Sequence, residues 1–194
     1  MKPHFKKTFM KKSITIIFAA SLLSLGAFAQ TYITRNGRIS FFSKAPVENI
    51  EAINNEVSGI LNTQNGELVF SVLIKSFKFS KALMEEHFNE NYMESNTFPK
   101  ASFKGTITDL SKINFSKDGT YATTVKGDLT IHGVTKNVEV PGTITVSQGK
   151  ISTSSKFNVK VKDYNIKIPS TVVNNIAETV TITVDCKYDP YKKG

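Results

Sequence analysis

The stretch Ile151-Ser152-Thr153-Ser154-Ser155-Lys156-Phe157-Asn158-Val159-Lys160-Val161-Lys162 alternates residue by residue. Its odd positions are apolar or small, and its even positions are polar or charged. A period of two makes a strand with one dry face and one wet face. A wet face needs no covering layer, so strands of this kind belong in an antiparallel sheet. Several of them in a short chain bury their dry faces by closing the sheet into a barrel.

The pattern recurs on both sides of this stretch. Strand candidates at 38–43, 50–61, 67–77, 100–110, 120–131, 137–147, 151–161 and 178–188 make about eight. The last alternates cleanly, with Val180, Ile182, Val184, Cys186 and Tyr188 against Thr179, Thr181, Thr183, Asp185 and Lys187. In 67–77 both parities carry apolar residues, so Phe70 and Val72 are free to face either side. Asn65-Gly66, Asp118-Gly119, His132-Gly133 and Gln148-Gly149 each separate two runs, as tight hairpin turns would. Short hairpins give a meander. Residues 80–93 differ: Leu83, Met84, His87 and Phe88 recur at helical spacing behind Ser80, a suitable N-cap. They predict a short helix across one end of the barrel. A second irregular stretch, 163–176, contains Pro169, and loops of that length often border a site.

Lys11 and Lys12 precede an apolar run over 14–25, which ends in Gly26-Ala27-Phe28-Ala29-Gln30. This is the order of a secretory signal peptide, residues 1–29, with cleavage expected after Ala29. The run is shorter than the ~20 residues of a membrane span, so no stable span is expected. Met10 is an alternative start to Met1. One domain, residues 30–194, follows, since no linker or repeat divides it. The expected location is periplasmic or secreted. Five of the 25 basic residues and none of the 16 acidic ones lie in the leader, so 20 against 16 leaves +4 beyond it, in place of +9. That charge is scattered and points to no nucleic-acid partner. Cys186 is the only cysteine, so no intramolecular disulfide forms and a packed core must supply the stability. Its parity predicts a buried thiol acting as a small hydrophobe.

Enzyme signals are weak. No His-x-x-x-His, Cys-x-x-Cys, Gly-x-Ser-x-Gly or phosphate-cradling glycine loop occurs. His132 reads as a turn residue. His87, beside Glu85 and Glu86, lacks the converging ligands of a metal site. No catalytic residue and no cofactor is expected. Ten of the 14 phenylalanines lie beyond the leader, and there is no tryptophan. Gly105, Ala122, Thr153 and Ser155 are small dry-face residues that would leave room inside the barrel. A cavity walled by hydrocarbon selects long apolar guests, at ~0.8 kcal/mol per buried CH₂.

Ordered motifs then resemble one family. Phe41-Phe42-Ser43-Lys44-Ala45-Pro46-Val47-Glu48-Asn49-Ile50 resembles the opening of the YceI-like family, and Asn55-Glu56-Val57-Ser58-Gly59-Ile60-Leu61 with Gly66-Glu67 its second signature. Phe98-Pro99-Lys100-Ala101-Ser102-Phe103-Lys104-Gly105 is similar to its strand entry, and Gly127-Asp128-Leu129-Thr130-Ile131-His132-Gly133-Val134-Thr135-Lys136 to its hairpin. Asp163-Tyr164-Asn165-Ile166 with Pro169 fits its late element. The resemblance spans about 37–188. It implies an all-β, about eight-stranded antiparallel lipocalin-like barrel with a short helix across one end. It also implies a periplasmic or secreted protein that holds a polyisoprenoid, isoprenoid quinone or other long-chain amphiphile without catalysis. Residues 90–99 depart from the family's usual run after the helix.

The lining is expected to come from Phe70, Val72, Phe103, Ile107, Tyr121, Val125, Phe157, Val159, Val180, Ile182 and Val184. Leu83, His87, Phe88 and Tyr92 are expected to form the lid. The alternatives are a solidly packed interaction or structural barrel, a lipid-modifying enzyme acting inside the cavity, and a metal or haem carrier resting on His87. Monomer and homodimer are both open, the latter through an edge strand near Arg38 or Tyr188.

Overall fold

The structure, a computed structural model, describes residues 31–172 and 174–191. The signal peptide expected over residues 1–29 lies outside them. The chain runs β1 (Thr31–Lys44), β2 (Asn49–Asn62), β3 (Glu67–Leu73), β4 (Lys78–Phe79), α1 (Ala82–His87), β5 (Lys100–Ile107), β6 (Gly119–Ile131), β7 (Val134–Ser147), β8 (Lys150–Lys160) and β9 (Thr179–Pro190). Eight strands form a ring in the order β1-β2-β3-β5-β6-β7-β8-β9, which β9 closes back onto β1. All pairings are antiparallel. The two-residue β4 adds to β2 through Ala52↔Phe79 and Ile53↔Lys78. The fold is the expected closed eight-stranded antiparallel barrel with one short helix.

The differences lie at element ends. β1 begins at Thr31 rather than at 38, and β7 at Val134 rather than at 137. β3 ends at Leu73, where the chain turns through Ile74–Ser76 and the Ile74 N–H donates to the Pro99 carbonyl. His132-Gly133 and Gln148-Gly149 make the tight turns, each with φ between 49° and 74°. Asp118-Gly119 does not: residues 108–118 form a longer connection, and its carboxylate accepts the Gln148 N–H at 2.9 Å. The helix covers only Ala82–His87, its N-cap is Lys81 rather than Ser80, and a wider turn over Phe88–Tyr92 follows. Neither proposed edge strand is free, because Arg38 pairs with Asp185 and Tyr188 with Ile151. The edge-pairing route to a dimer through these residues therefore falls.

The barrel has two unlike ends. The upper end carries α1, the β6–β7 hairpin and residues 161–172 and 174–178. The lower end is plugged by Tyr32, Ile113, Val146, Ile151 and Tyr188, all buried. One seam of the wall is short: β7 and β8 are paired only from Ser147↔Lys150 to Thr143↔Ser154.

Candidate functional site

Above the plug the interior is open. A cavity of about 370 Å³ runs from a floor of Leu61, Leu68, Ile107 and Ile144 to the upper end. That size falls within the ~300–1,000 Å³ of ligand pockets. Ile39, Phe41 and Val57 come from β1 and β2, Phe70 and Val72 from β3, Phe103 from β5 and Val125 from β6. β8 adds Phe157 and Val159, and β9 adds Val180, Ile182 and Val184. The two-residue period turns these side chains inward while Lys104, Lys126, Asp128, Lys156 and Asp185 stay exposed outside. The ambiguity in β3 resolves inward, with Leu68, Phe70 and Val72 all facing the cavity.

The roof has two parts. From the helical segment, Met84, His87, Phe88 and Tyr92 reach the cavity. Phe88 sits among Phe41, Phe77 and Phe79, with ring centroids 5.0–5.6 Å away. From the late loop come Ile166, Ile168, Val172 and Ile176. The Ala177 N–H donates to the buried Ser43 hydroxyl at 2.9 Å, and the Val47 N–H to the Asn174 carbonyl at 3.2 Å, tying that loop to the β1–β2 connection. His132 joins the two parts. Its Nε2 lies 3.0 Å from a Glu94 carboxylate oxygen, its Nδ1 lies 3.2 Å from the Tyr164 carbonyl, and Phe98 packs edge-on to its ring. The residue read as a plain turn residue is thus also a clasp.

Two expected site residues do not border the cavity. Leu83 is 60% exposed. One position along a helix is a rotation of about 100°, so Met84 turning inward carries Leu83 outward. Tyr121 has the inward parity of β6 but sits low in the barrel, opposite Ile144, where it packs on the plug and its hydroxyl donates to the Lys117 carbonyl. The other expected residues all line the cavity. Of the small residues, Thr153 and Ser155 border it, whereas Ala122 is exposed outside. Gly105 faces Gly127 across β5–β6, where a Cβ would meet the Lys126 carbonyl at 2.5 Å, so its smallness serves strand approach. The four aliphatics of the late loop were missed. Their signal was apolar side chains recurring in a segment with no strand period.

The lining is chemically bare. Its ionisable side chains are Glu48, His87 and Tyr92, all toward the upper end. Glu48 is paired with Lys81. Burial raises the Tyr92 phenol above its ordinary value. Among the described residues no group of three His, Cys, Asp or Glu side chains could hold a metal ion. No described helix is long and apolar enough to cross a membrane.

The model of the YceI-like domain matches residues 31–188. The chain belongs to the YceI-like family. No curated protein matches its sequence. This YceI-like chain superposes on a polyisoprenoid-binding domain from Saccharophagus degradans, implicated in plant cell wall breakdown, with a TM-score of 0.73 at 14% identity over 84% of this chain and 99% of that one. Burkholderia cenocepacia BcnA gives a TM-score of 0.65 at 18% identity, covering 79% and 96%. A Campylobacter jejuni YceI protein gives 0.56 at 17%, covering 76% and 88%. At these identities the likeness establishes a shared barrel.

Proposed function

We propose that this YceI-like chain is a non-catalytic binding protein that holds a long apolar isoprenoid-type lipid, a polyisoprenoid or an isoprenoid quinone, inside its barrel. The carrying observation is the roofed cavity of about 370 Å³, walled by aliphatic and phenyl groups from all eight ring strands and by a largely apolar roof. At ~0.8 kcal/mol per buried CH₂, a chain of such groups is retained without any one strong contact. The Saccharophagus degradans domain with the same fold is described as polyisoprenoid-binding, which supports the ligand class. The bare lining favours holding over chemistry, since acid–base catalysis needs positioned partners near the reacting atoms. A barrel serving only as a structural or interaction module would be filled by its own side chains, and this one is open. The location we propose is periplasmic or secreted, on the strength of the leader at residues 1–29.

The direct test is native mass spectrometry with lipid extraction on protein purified from its own host. A co-purifying amphiphile is expected, and protein that is consistently ligand-free would count against the reading. The same spectrum checks the export step: a mature chain beginning at Gln30 is expected, and an intact leader argues against it.

A further inference from the structure

β6 and β7 are paired at thirteen positions and β8 and β9 at ten, but β7 and β8 at only five. Beyond Thr143↔Ser154 the backbone ladder ends, although β7 extends back to Val134 and β8 on to Lys160. The cause is legible in Pro141. Its carbonyl accepts the Ser155 hydroxyl at 2.6 Å, so it is turned toward β8. In an antiparallel pair the N and C=O of a bonded residue face the same neighbour. Proline has no N–H to give, so the next rung lacks its donor and the ladder stops.

The result is a window in the barrel wall. Its sill is the Thr143–Ser154 rung. Its upper bar is Val161–Tyr164, fixed to the β6–β7 hairpin through the Tyr164 carbonyl and His132. The cavity reaches both jambs, at Val138, Val140 and Gly142 on one side and Ser155, Phe157 and Val159 on the other. The outer rim is basic: Lys156, Lys160, Lys162 and Lys167 are exposed, against Glu139 and Asp163. Among the described residues none of these four lysines has an ion-pair partner.

We propose that this window is the passage by which the ligand's chain enters and leaves the cavity, with an anionic head group, a phosphate or carboxylate, held outside on the lysine rim. The proposal rests on the lipid-binding reading above. Entry from below would displace the buried plug, and entry from above would pull Phe88 out of its four-ring cluster. Entry through the wall breaks neither and parts only the smaller cluster of Leu129, Val159 and Tyr164. A charged head group would lose its water inside such a cavity, so it stays where lysines and solvent meet it.

The test uses the exposed, outward positions Glu139 and Asn158 on the two jambs. Glu139→Cys with Asn158→Cys is joined by a short bis-maleimide, and the same variant capped with two mono-maleimides is the control. Cys186 is buried and stays out of the reaction. Uptake of cis-parinaric acid and of its uncharged alcohol is followed by fluorescence. Bridging is expected to slow uptake of both by about tenfold or more relative to the capped control. Lys156→Gln with Lys160→Gln is expected to weaken binding of the acid by about fivefold and leave the alcohol unchanged. Uptake by the bridged protein at the control's rate overturns the passage and leaves the lipid-binding reading standing. Equal effects of the lysine changes on acid and alcohol overturn the head-group assignment. Failure of the native chain to take up either probe overturns this proposal together with the reading beneath it.

Discussion

Asn54 is wholly buried in β2, and both ends of its amide are used. Its Nδ2 donates to the Leu73 carbonyl at 2.9 Å, and its Oδ1 accepts the Glu56 N–H at 2.8 Å. It therefore supplies, from a side chain, the link between β2 and the point where β3 leaves the sheet. Asn54→Leu should cost about 2 kcal/mol, because the groups left behind are buried and unpaired. Urea denaturation checks this: a lower midpoint at an unchanged slope is expected. Cys186 shows a different use of burial. Desolvation, with the Asp185 charge second, raises its thiol from 9.0 to about 12. The folded value lies above that of the open chain. The thiol's contribution to stability is therefore complete below pH 9.0 and is lost as the pH rises toward about 12. Iodoacetamide is expected to leave the native protein unmodified at mildly alkaline pH and to label it fully in urea. Rapid native labelling would contradict the burial.

At the scale of elements, the roof is held by rings more than by charges. The Lys78–Glu85 and Lys81–Glu48 pairs have exposed lysines, and such pairs contribute little. Phe88 instead makes three aromatic contacts, with Phe41, Phe77 and Phe79. Phe88→Ala should cost about 2 kcal/mol or more and should speed hydrogen exchange in residues 82–92 before any other segment. Uniform acceleration across the barrel would mean that the roof is not a separate unit. The strands themselves were readable because alternation is imposed by the pleat, and every expected strand is present. Their ends were not, since Leu73 and Ile107 close β3 and β5 through contacts with distant residues rather than through local turn chemistry. Pro141 was visible inside an expected strand. Its meaning depends on which neighbour its missing donor faces, and only the register fixes that.

At the scale of the whole molecule, an empty interior is a property of which side chains meet across the barrel. Phe70, Phe103 and Phe157 announced an apolar wall, and they do line the cavity. Nothing in the order of residues announced that Tyr121 would belong to the plug and Ile166 to the roof, because height in the barrel is set by strand tilt and stagger. The cavity gives a prediction of its own. Val125 lies on its wall, so Val125→Phe projects a ring into open space. Affinity for cis-parinaric acid should fall about tenfold, or ~1.4 kcal/mol, while thermal stability stays within about 1 kcal/mol of the parent. Unchanged affinity would show that the probe binds elsewhere.

The ring of strands has one further property. Of the ring's strands Thr31–Lys44 is synthesised first and Thr179–Pro190 last, yet they lie side by side, with Phe41 opposite Ile182. Joining segments so far apart carries its entropy cost before the reward of contact, so the seam forms slowly. A nascent polypeptide emerging from the ribosome is therefore unsealed until Thr179–Pro190 arrives. On the export proposed above, such a molecule would still be a thread when it met a narrow translocation pore, and it would lock into shape on the far side.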